Sequence, residues 1–112
     1  MKAYIVDRYR KNEPLRYGDM PEPVPGQNDV LVEVHAAGLN PLDSKIRDGA
    51  FKAILPYRPP FILGHDVAGI VIGVGANVRR FKLGDAVYAR PRDGRIGAFA
   101  ERIAIDQADV AL

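Results

Sequence analysis

The segment Asp29-Val30-Leu31-Val32-Glu33-Val34-His35-Ala36-Ala37 decides the fold of this 112-residue chain. Valines occupy alternate positions at its centre, and residues two apart lie on the same face of a β-strand. The alternation predicts a strand whose valine face packs on a core. It also places His35 on the opposite, exposed face beside Glu33.

Segments on both sides of this strand repeat the same two-residue apolar period. They predict further strands over residues 2–6, 15–20, 67–74, 84–88 and 99–105. Three prolines between positions 21 and 25 exclude ladder pairing after the second of these strands. Many short strands without βαβ alternation favour a mainly β fold, either a partly open barrel or a sandwich, as a single domain over residues 1–112.

One short stretch, from Pro41 to Asp48, has a helical pattern. Asn40 is a suitable N-cap, proline is favoured at the first helical position, and Gly49 is suited to end the helix. The sequence therefore predicts a helix of about two turns that interrupts the strands.

Composition excludes several classes of protein. The chain has no cysteine, so it has neither disulfides nor a thiolate metal site nor a cysteine nucleophile. A net charge of +2 gives no extended phosphate-binding face, and nucleic acid is not an expected partner. No apolar run is long enough to cross a membrane, and charged residues follow the first strand at once, so we expect a cytoplasmic protein.

The glycines at 69, 73 and 75 lie within the longest uncharged apolar run, from Val67 to Val78. A phosphate-binding turn must lead into a helix, and the residues that follow Gly75 have no helical apolar face. We interpret these glycines as bulge and turn positions of a curved sheet. The arginine-rich segments 79–82 and 90–95 fall in predicted turns, where solvated side chains are the simplest expectation.

Six motifs, in this order, resemble those of the medium-chain dehydrogenase/reductase superfamily over nearly the whole chain: residues 23–32, 37–43, 64–71, 74–75, 84–88 and 97–101. The resemblance implies a GroES-like β-barrel domain. In that superfamily the barrel is joined to a Rossmann domain that binds the dinucleotide, and the resemblance ends before such a domain begins. The isolated 112-residue domain is therefore predicted to be inactive.

Zinc alcohol dehydrogenases of this superfamily carry a cysteine ligand where this chain has Asn40, and a second ligand where it has His65. They also usually carry a proton-relay hydroxyl where this chain has Leu42. An amide is a poor zinc ligand beside a thiolate or an imidazole. The substitutions predict a protein without a metal ion.

The pattern formed by Asn40, Pro41, Asp43, Lys45 and Arg47 resembles that of the zinc-free quinone oxidoreductases and alkenal/enone reductases. The resemblance implies hydride transfer from NADPH to a quinone or an α,β-unsaturated carbonyl. Negative charge then builds on the acceptor oxygen, where hydrogen-bond donors and a cation replace a Lewis acid. The expected partners are this small-molecule substrate and the protein's own Rossmann domain.

Asn40 and Lys45 are the candidate catalytic and cofactor-binding residues that the resemblance implies. Phe51, Tyr57 and His65 are the candidate substrate-binding residues. Each has a plainer structural alternative: N-cap for Asn40, solvated side chain for Lys45, core or lid packing for the aromatic pair, and a hydrogen-bonded histidine for His65.

Asp43 has two interpretations in the same helix. It could orient Asn40 or Lys45, or it could simply complement the helix dipole from the first turn. Two other functions stay open at this point: a stand-alone GroES-like binding or assembly module, and a zinc-type alcohol dehydrogenase domain.

Overall fold

A computed structural model describes residues 1–9, 14–38, 41–49, 59–92 and 95–112, without the side chains of Pro41 and Ser44. The strands are β1 (Lys2–Val6), β2 (Arg16–Asp19), β3 (Asp29–Gly38), β4 (Phe61–Ile62), β5 (Asp66–Val74), β6 (Ala86–Ala89), β7 (Arg102–Asp106) and β8 (Val110–Ala111). One α-helix, α1 (Pro41–Arg47), follows β3, and a 3₁₀ turn (Gln107–Asp109) precedes β8. None of the helices in these ranges is long and apolar enough to span a membrane.

The strands form two antiparallel sheets. The smaller sheet has the order β2-β1-β4, and the larger has the order β7-β3-β5-β6-β8. The long strand predicted from the valine alternation, β3, is therefore an interior strand of the larger sheet, paired with β7 and β5. The mainly β architecture predicted from the sequence is confirmed.

Residues 98–101 connect the two sheets. Ala100 forms a β-bridge with Ala3, and the Tyr4 amide donates to the Phe99 carbonyl at 2.8 Å. On the other side, the Val34 amide donates to the Glu101 carbonyl at 2.9 Å. This segment closes one side of the barrel by bonding to a strand of each sheet.

The alternating valines fill the core of the larger sheet, as the sequence predicts. Val30 and Val32 are fully buried and pack against Val71 and Ile105 from the neighbouring strands. A second apolar cluster lies under α1, where Ile46 packs with Val6 and Leu63. The second cluster attaches the helix to the smaller sheet.

Several predicted boundaries differ from the structure. The second strand is shorter at both ends, and the strand predicted from Gly84 begins at Ala86 because Gly84 has a turn conformation with φ +92°. The strand predicted over 99–105 begins only at Arg102, since residues 99–101 bond across the two sheets. Strands β4 and β8 are two residues each, too short to show a period.

Gly69 in β5 and Gly75 just after it lie close to neighbouring backbone. The pairing of β3 and β5 shifts register between Leu31 and Val32 and again between Val34 and Ala36, the mark of β-bulges. A Cβ on Gly69 would overlap the Glu33 carbonyl, and one on Gly75 would overlap the Gly26 carbonyl. The interpretation of these glycines as structural positions agrees with this close packing.

Asp29 and Arg95 form an ion pair at the start of β3. The Asp29 carboxylate accepts from two Arg95 nitrogens at 2.9 and 2.8 Å and from the Gly26 amide at 2.7 Å. The Arg95 hydrogen bond holds the pKa of the Asp29 carboxyl below its usual range, against the opposing effect of burial. This part of the 90–95 segment is therefore engaged in the fold, whereas the sequence predicted a solvated turn.

Arg95→Gln is expected to lower the free energy of unfolding at pH 7 by about 2 kcal/mol, because it leaves a buried carboxylate without its charged partner. A depressed folded-state pKa stabilises the fold above the unfolded-state pKa of about 4, and that contribution disappears as the pH falls below it. The difference between variant and wild type should therefore shrink below about pH 4 in urea titrations.

Arg92→Gln is the matched control for this prediction. Arg92 pairs with Asp109 at 2.7 Å, but half of its side chain is exposed, so its loss should cost less than about 1 kcal/mol. Equal losses from the two variants, or a difference that stays constant in acid, would contradict the assignment of the buried pair.

Candidate active site

Helix α1 is fixed at its C-terminal end and on one side. Gly49 takes a positive φ of 89°, and its amide donates to the Ile46 carbonyl at 3.0 Å, which ends the helix where the sequence predicts. Asp43 and Ile46 are three residues apart and both are buried, so they define the inner face of the helix. Lys45 is exposed on a different side.

His65 is held by the backbone around it. Gly64 has a φ of +122°, and its carbonyl accepts from the amides of Gly97 and Ala98 at 3.1 and 3.3 Å. A Cβ on Gly64 would lie only 2.7 Å from the Ala98 nitrogen, so glycine is required both for its conformation and for this close approach. The entry into β5 thereby sets the position of the His65 ring.

Asp43 and His65 form a buried hydrogen-bonded pair. The distance between His65 Nδ1 and Asp43 Oδ1 is 2.5 Å, the two residues are 22 positions apart, and each is 1% exposed. An ionised carboxylate only accepts hydrogen bonds, so Nδ1 is the donor. Nε2 is then the second hydrogen-bonding atom of the ring.

His65 Nε2 is the one buried side-chain polar atom without a hydrogen-bond partner in the part of the chain that the structure describes. Buried polar groups are nearly always paired, and an unpaired one costs about 1–3 kcal/mol. The orphaned nitrogen therefore marks this pair as a candidate functional site.

The structure describes two of the five predicted site residues, His65 and Lys45. His65 is a buried, hydrogen-bonded histidine, and Lys45 is a solvent-exposed side chain that does not share the inner face of α1 with Asp43. Asn40, Phe51 and Tyr57 lie outside the described residues. His35 is exposed and contacts Glu33 at 3.1 Å, as predicted.

The partner of Asp43 was not predicted from the sequence. Both sequence interpretations kept Asp43 within its own helix, whereas its side chain bonds to His65 at the start of another element. Its place on the inner face with Ile46, at the three-residue spacing, is the signal that could have revealed that it is buried.

A separate groove of about 330 Å³ lies between β1, β2 and the end of β3. Tyr4, Tyr17, Ala37 and Phe99 line it, and neither Asp43 nor His65 does. The buried pair and the groove are therefore different features of the barrel.

Comparison with known proteins identifies the family to which this fold belongs. Residues 26–112 match the family model of the alcohol dehydrogenase GroES-like domain. The chain belongs to this family, and the partly open β-barrel and its short helix are the corresponding fold.

The relatives of the chain are oxidoreductases. It is 50% identical over 91 residues to the quinone oxidoreductase of Sus scrofa, covering 79% of this chain and 26% of that protein. It is 33% identical over 125 residues to the human mitochondrial NAD(P)H oxidoreductase RTN4IP1, covering 99% of this chain and 32% of that protein. The chain thus spans about a third of the length of the curated relatives it matches.

A solved structure of a quinone oxidoreductase also has the fold of this chain over part of its length. The Escherichia coli quinone oxidoreductase complexed with NADPH superimposes with a TM-score of 0.87 at 28% identity, covering 100% of this chain and 33% of that one. The resemblance to the medium-chain dehydrogenase/reductase superfamily noted in the sequence is confirmed.

Within the described ranges, no three His, Asp or Glu side chains cluster as a metal would require, and the chain has no cysteine to provide a thiolate. Asn40 and His65 stand where zinc alcohol dehydrogenases have zinc ligands, and of the two only His65 has a side chain that commonly binds zinc.

Proposed function

We propose that this chain is the substrate-side domain of an NADPH-dependent oxidoreductase that transfers hydride to a quinone or an α,β-unsaturated carbonyl without a metal ion. The observation that carries the proposal is the buried pair between Asp43 of the short helix and His65 at the entry to β5, in a cysteine-free member of a dehydrogenase domain family. The names of its relatives, quinone oxidoreductase and NAD(P)H oxidoreductase, support the same reaction class.

The cofactor would be bound mainly by a further domain. All strand pairs among the described residues are antiparallel, whereas a dinucleotide fold needs a βαβ unit with parallel strands. Bound NADPH supplies the hydride in this reaction class. The isolated domain is accordingly proposed to bind no dinucleotide tightly and to be inactive.

Lys45 in α1 and Asn40 directly before it would have different roles. Lys45 offers an exposed ammonium group, suited to a cofactor hydroxyl or phosphate at a domain boundary. Asn40, directly before the helix, would add amide hydrogen bonds to the nicotinamide ribose or to the acceptor oxygen. Such donors stabilise the developing oxyanion without a Lewis acid.

The test joins this chain to its cofactor domain in the full-length protein and follows NADPH oxidation at 340 nm with quinone and enone acceptors. Asn40→Ala and Lys45→Ala are each expected to lower kcat/KM by about 10- to 100-fold, since each removes a hydrogen bond to a charged or developing-charge group. Lys82→Ala, which removes an exposed lysine from a turn, should leave the rate unchanged.

A wild-type protein that oxidises NADPH with neither acceptor class would remove the proposed function. Unchanged rates in the Asn40 and Lys45 variants would contradict the roles proposed for these two residues and leave the reaction class untouched. Nothing in the structure favours the assembly-module alternative, and the cytoplasmic location stays a prediction from the sequence.

A further inference from the structure

We propose that the groove between β1, β2 and the end of β3 is a docking site for an extended segment of the same polypeptide, C-terminal to Leu112, which pairs with β3 as a further strand. This assignment rests on one part of the proposed function, that the chain is one domain of a longer protein. It depends on the free edge of β3 and on the lining of the groove, and it requires neither cofactor nor substrate.

The C-terminal end of β3 has a neighbouring strand on one side only. β3 pairs with β7 from Asp29 to Glu33, whereas its pairing with β5 continues to Gly38. Among the described residues, no strand lies beside residues 35–38 on the side opposite β5, and all four of these residues are exposed. Alternate residues of a strand direct their backbone groups to the same neighbour, so this side of β3 is an open edge at which another strand can pair.

The groove opens where the chain before β7 leaves β3 for the smaller sheet. The Val34 amide still bonds to the Glu101 carbonyl at 2.9 Å. One residue earlier, Ala100 pairs with Ala3 of β1 and no longer follows β3. The divergence leaves a groove of about 330 Å³ beside the open edge.

The lining of the groove suits an extended backbone. Alanines at positions 36, 37, 98 and 100 contribute to it, and their short side chains allow another backbone to come close. Tyr4 and Tyr17 also line it, with ring centroids 5.1 Å apart, and both rings are half exposed or more. An added strand would bond to the edge of β3 through its backbone and bury alternate side chains against these rings.

The charged residues of the groove favour an uncharged segment. Lys2 and Glu101 have opposite signs, and both are already engaged in the fold. Lys2 Nζ donates to Asp19 at 3.1 Å, and the Glu101 carboxylate accepts from the Lys2 amide at 2.5 Å. His35 contacts Glu33 at 3.1 Å. A charged side chain placed in the groove would therefore meet no unpaired opposite charge among these residues.

The small size of the site indicates that its occupant is part of the same polypeptide. Four residues of strand span about 13 Å and make about two to four hydrogen bonds to a neighbour, each worth about 1 kcal/mol net. Association of separate molecules costs about 4 kcal/mol or more in lost freedom, and a specific interface buries roughly 1,000 Å² or more. A tethered segment avoids most of that cost, because its effective concentration is of millimolar order.

The curated relatives have enough chain for such a segment, since the region they share with this chain is about a third of their length. In the proposed full-length protein, the added strand would join the cofactor-binding part of the molecule to the barrel by backbone hydrogen bonds. The strand would thereby limit the movement of the two parts relative to each other.

The experiment places a photo-crosslinking residue at the groove of the full-length protein. Tyr17 is replaced by p-benzoylphenylalanine, and the crosslinked peptides are identified by mass spectrometry after illumination. We expect crosslinks within one molecule to a segment beyond Leu112, in a yield at least about tenfold above that of the control for the same segment. The matched control has the same replacement at Tyr88, which is also 60% exposed but lies in β6, outside the groove.

Hydrogen exchange of the unsubstituted full-length protein provides a second measurement. A docked strand protects every amide of residues 35–38, so each is expected to exchange at least about 100-fold more slowly than in an unstructured chain. An open edge protects only the amides that bond to β5, and the others exchange at nearly the rate of an unstructured chain.

The docked strand is overturned if Tyr17 crosslinks only to residues 1–112 or to a second copy, or if no crosslink forms. Open-edge exchange at residues 35–38 would overturn it as well. NADPH oxidation by the same protein is measured separately, so either result leaves the proposed reaction standing. Crosslinks beyond Leu112 in a protein that reduces neither acceptor class would remove the proposed reaction and retain the docked strand.

Discussion

Replacing Gly69 by alanine is expected to lower the free energy of unfolding by at least about 3 kcal/mol. The new Cβ would overlap the Glu33 carbonyl of the neighbouring strand and lie 2.9 Å from Val32 Cγ1. Backbone cannot move aside as a side-chain end can, so β3 and β5 would have to separate at the centre of the larger sheet. Urea denaturation followed by circular dichroism measures the loss.

Gly73→Ala is the control in the same strand. There the nearest atom to a new Cβ is the Leu31 Cβ at 3.3 Å, in a side chain that can adjust by a few tenths of an ångström. A cost of less than about 1 kcal/mol is expected. If Gly69→Ala and Gly73→Ala are equally mild, the close approach of β3 and β5 is not as described.

The second large effect is energetic coupling between Asp43 and His65. Asp43→Ala is expected to lower the free energy of unfolding by about 3 kcal/mol, because a buried imidazole loses its hydrogen-bond acceptor. His65→Ala should cost about as much, because a buried carboxylate loses the hydrogen bond from His65. The double variant should cost less than the sum of the two by about 2 kcal/mol. Unfolding of all four proteins in urea gives the coupling energy directly.

This cycle separates the structural finding from the interpretation of Asp43 as a complement to the helix dipole. A dipole role needs no histidine, so it predicts that the two single effects add within about 0.5 kcal/mol. Additive losses would therefore contradict the buried pair.

The interior strands β3 and β5 of the larger sheet were predictable from local pattern. The valines of β3 alternate over enough positions to show their period, and the β-branched run of β5 is long enough to define a strand. Gly49 ended the helix as predicted because a C-terminal glycine acts through its own backbone. These signals require no knowledge of what lies across the sheet.

Other features had no local signal. Strands β4 and β8 exist because a neighbouring strand offers hydrogen bonds, since two residues cannot establish a period. Residues 99–101 look like the start of a strand, but their backbone groups are used by two different sheets. Arg95 has the sequence context of an ordinary loop arginine, and only the fold brings Asp29 to it from 66 residues away in sequence.

The amino-acid sequence by itself determined the mainly β fold, the extent of the short helix to within one residue, and the lack of any thiolate ligand. Each of these depends on residue type or on contacts within a few positions. Only the tertiary structure decided that Asp43 bonds to His65 and that His65 Nε2 has no partner among the described residues. The pair depends on contacts between distant parts of the chain, because α1 must pack against the smaller sheet and the backbone of residues 97–99 must fix the entry to β5.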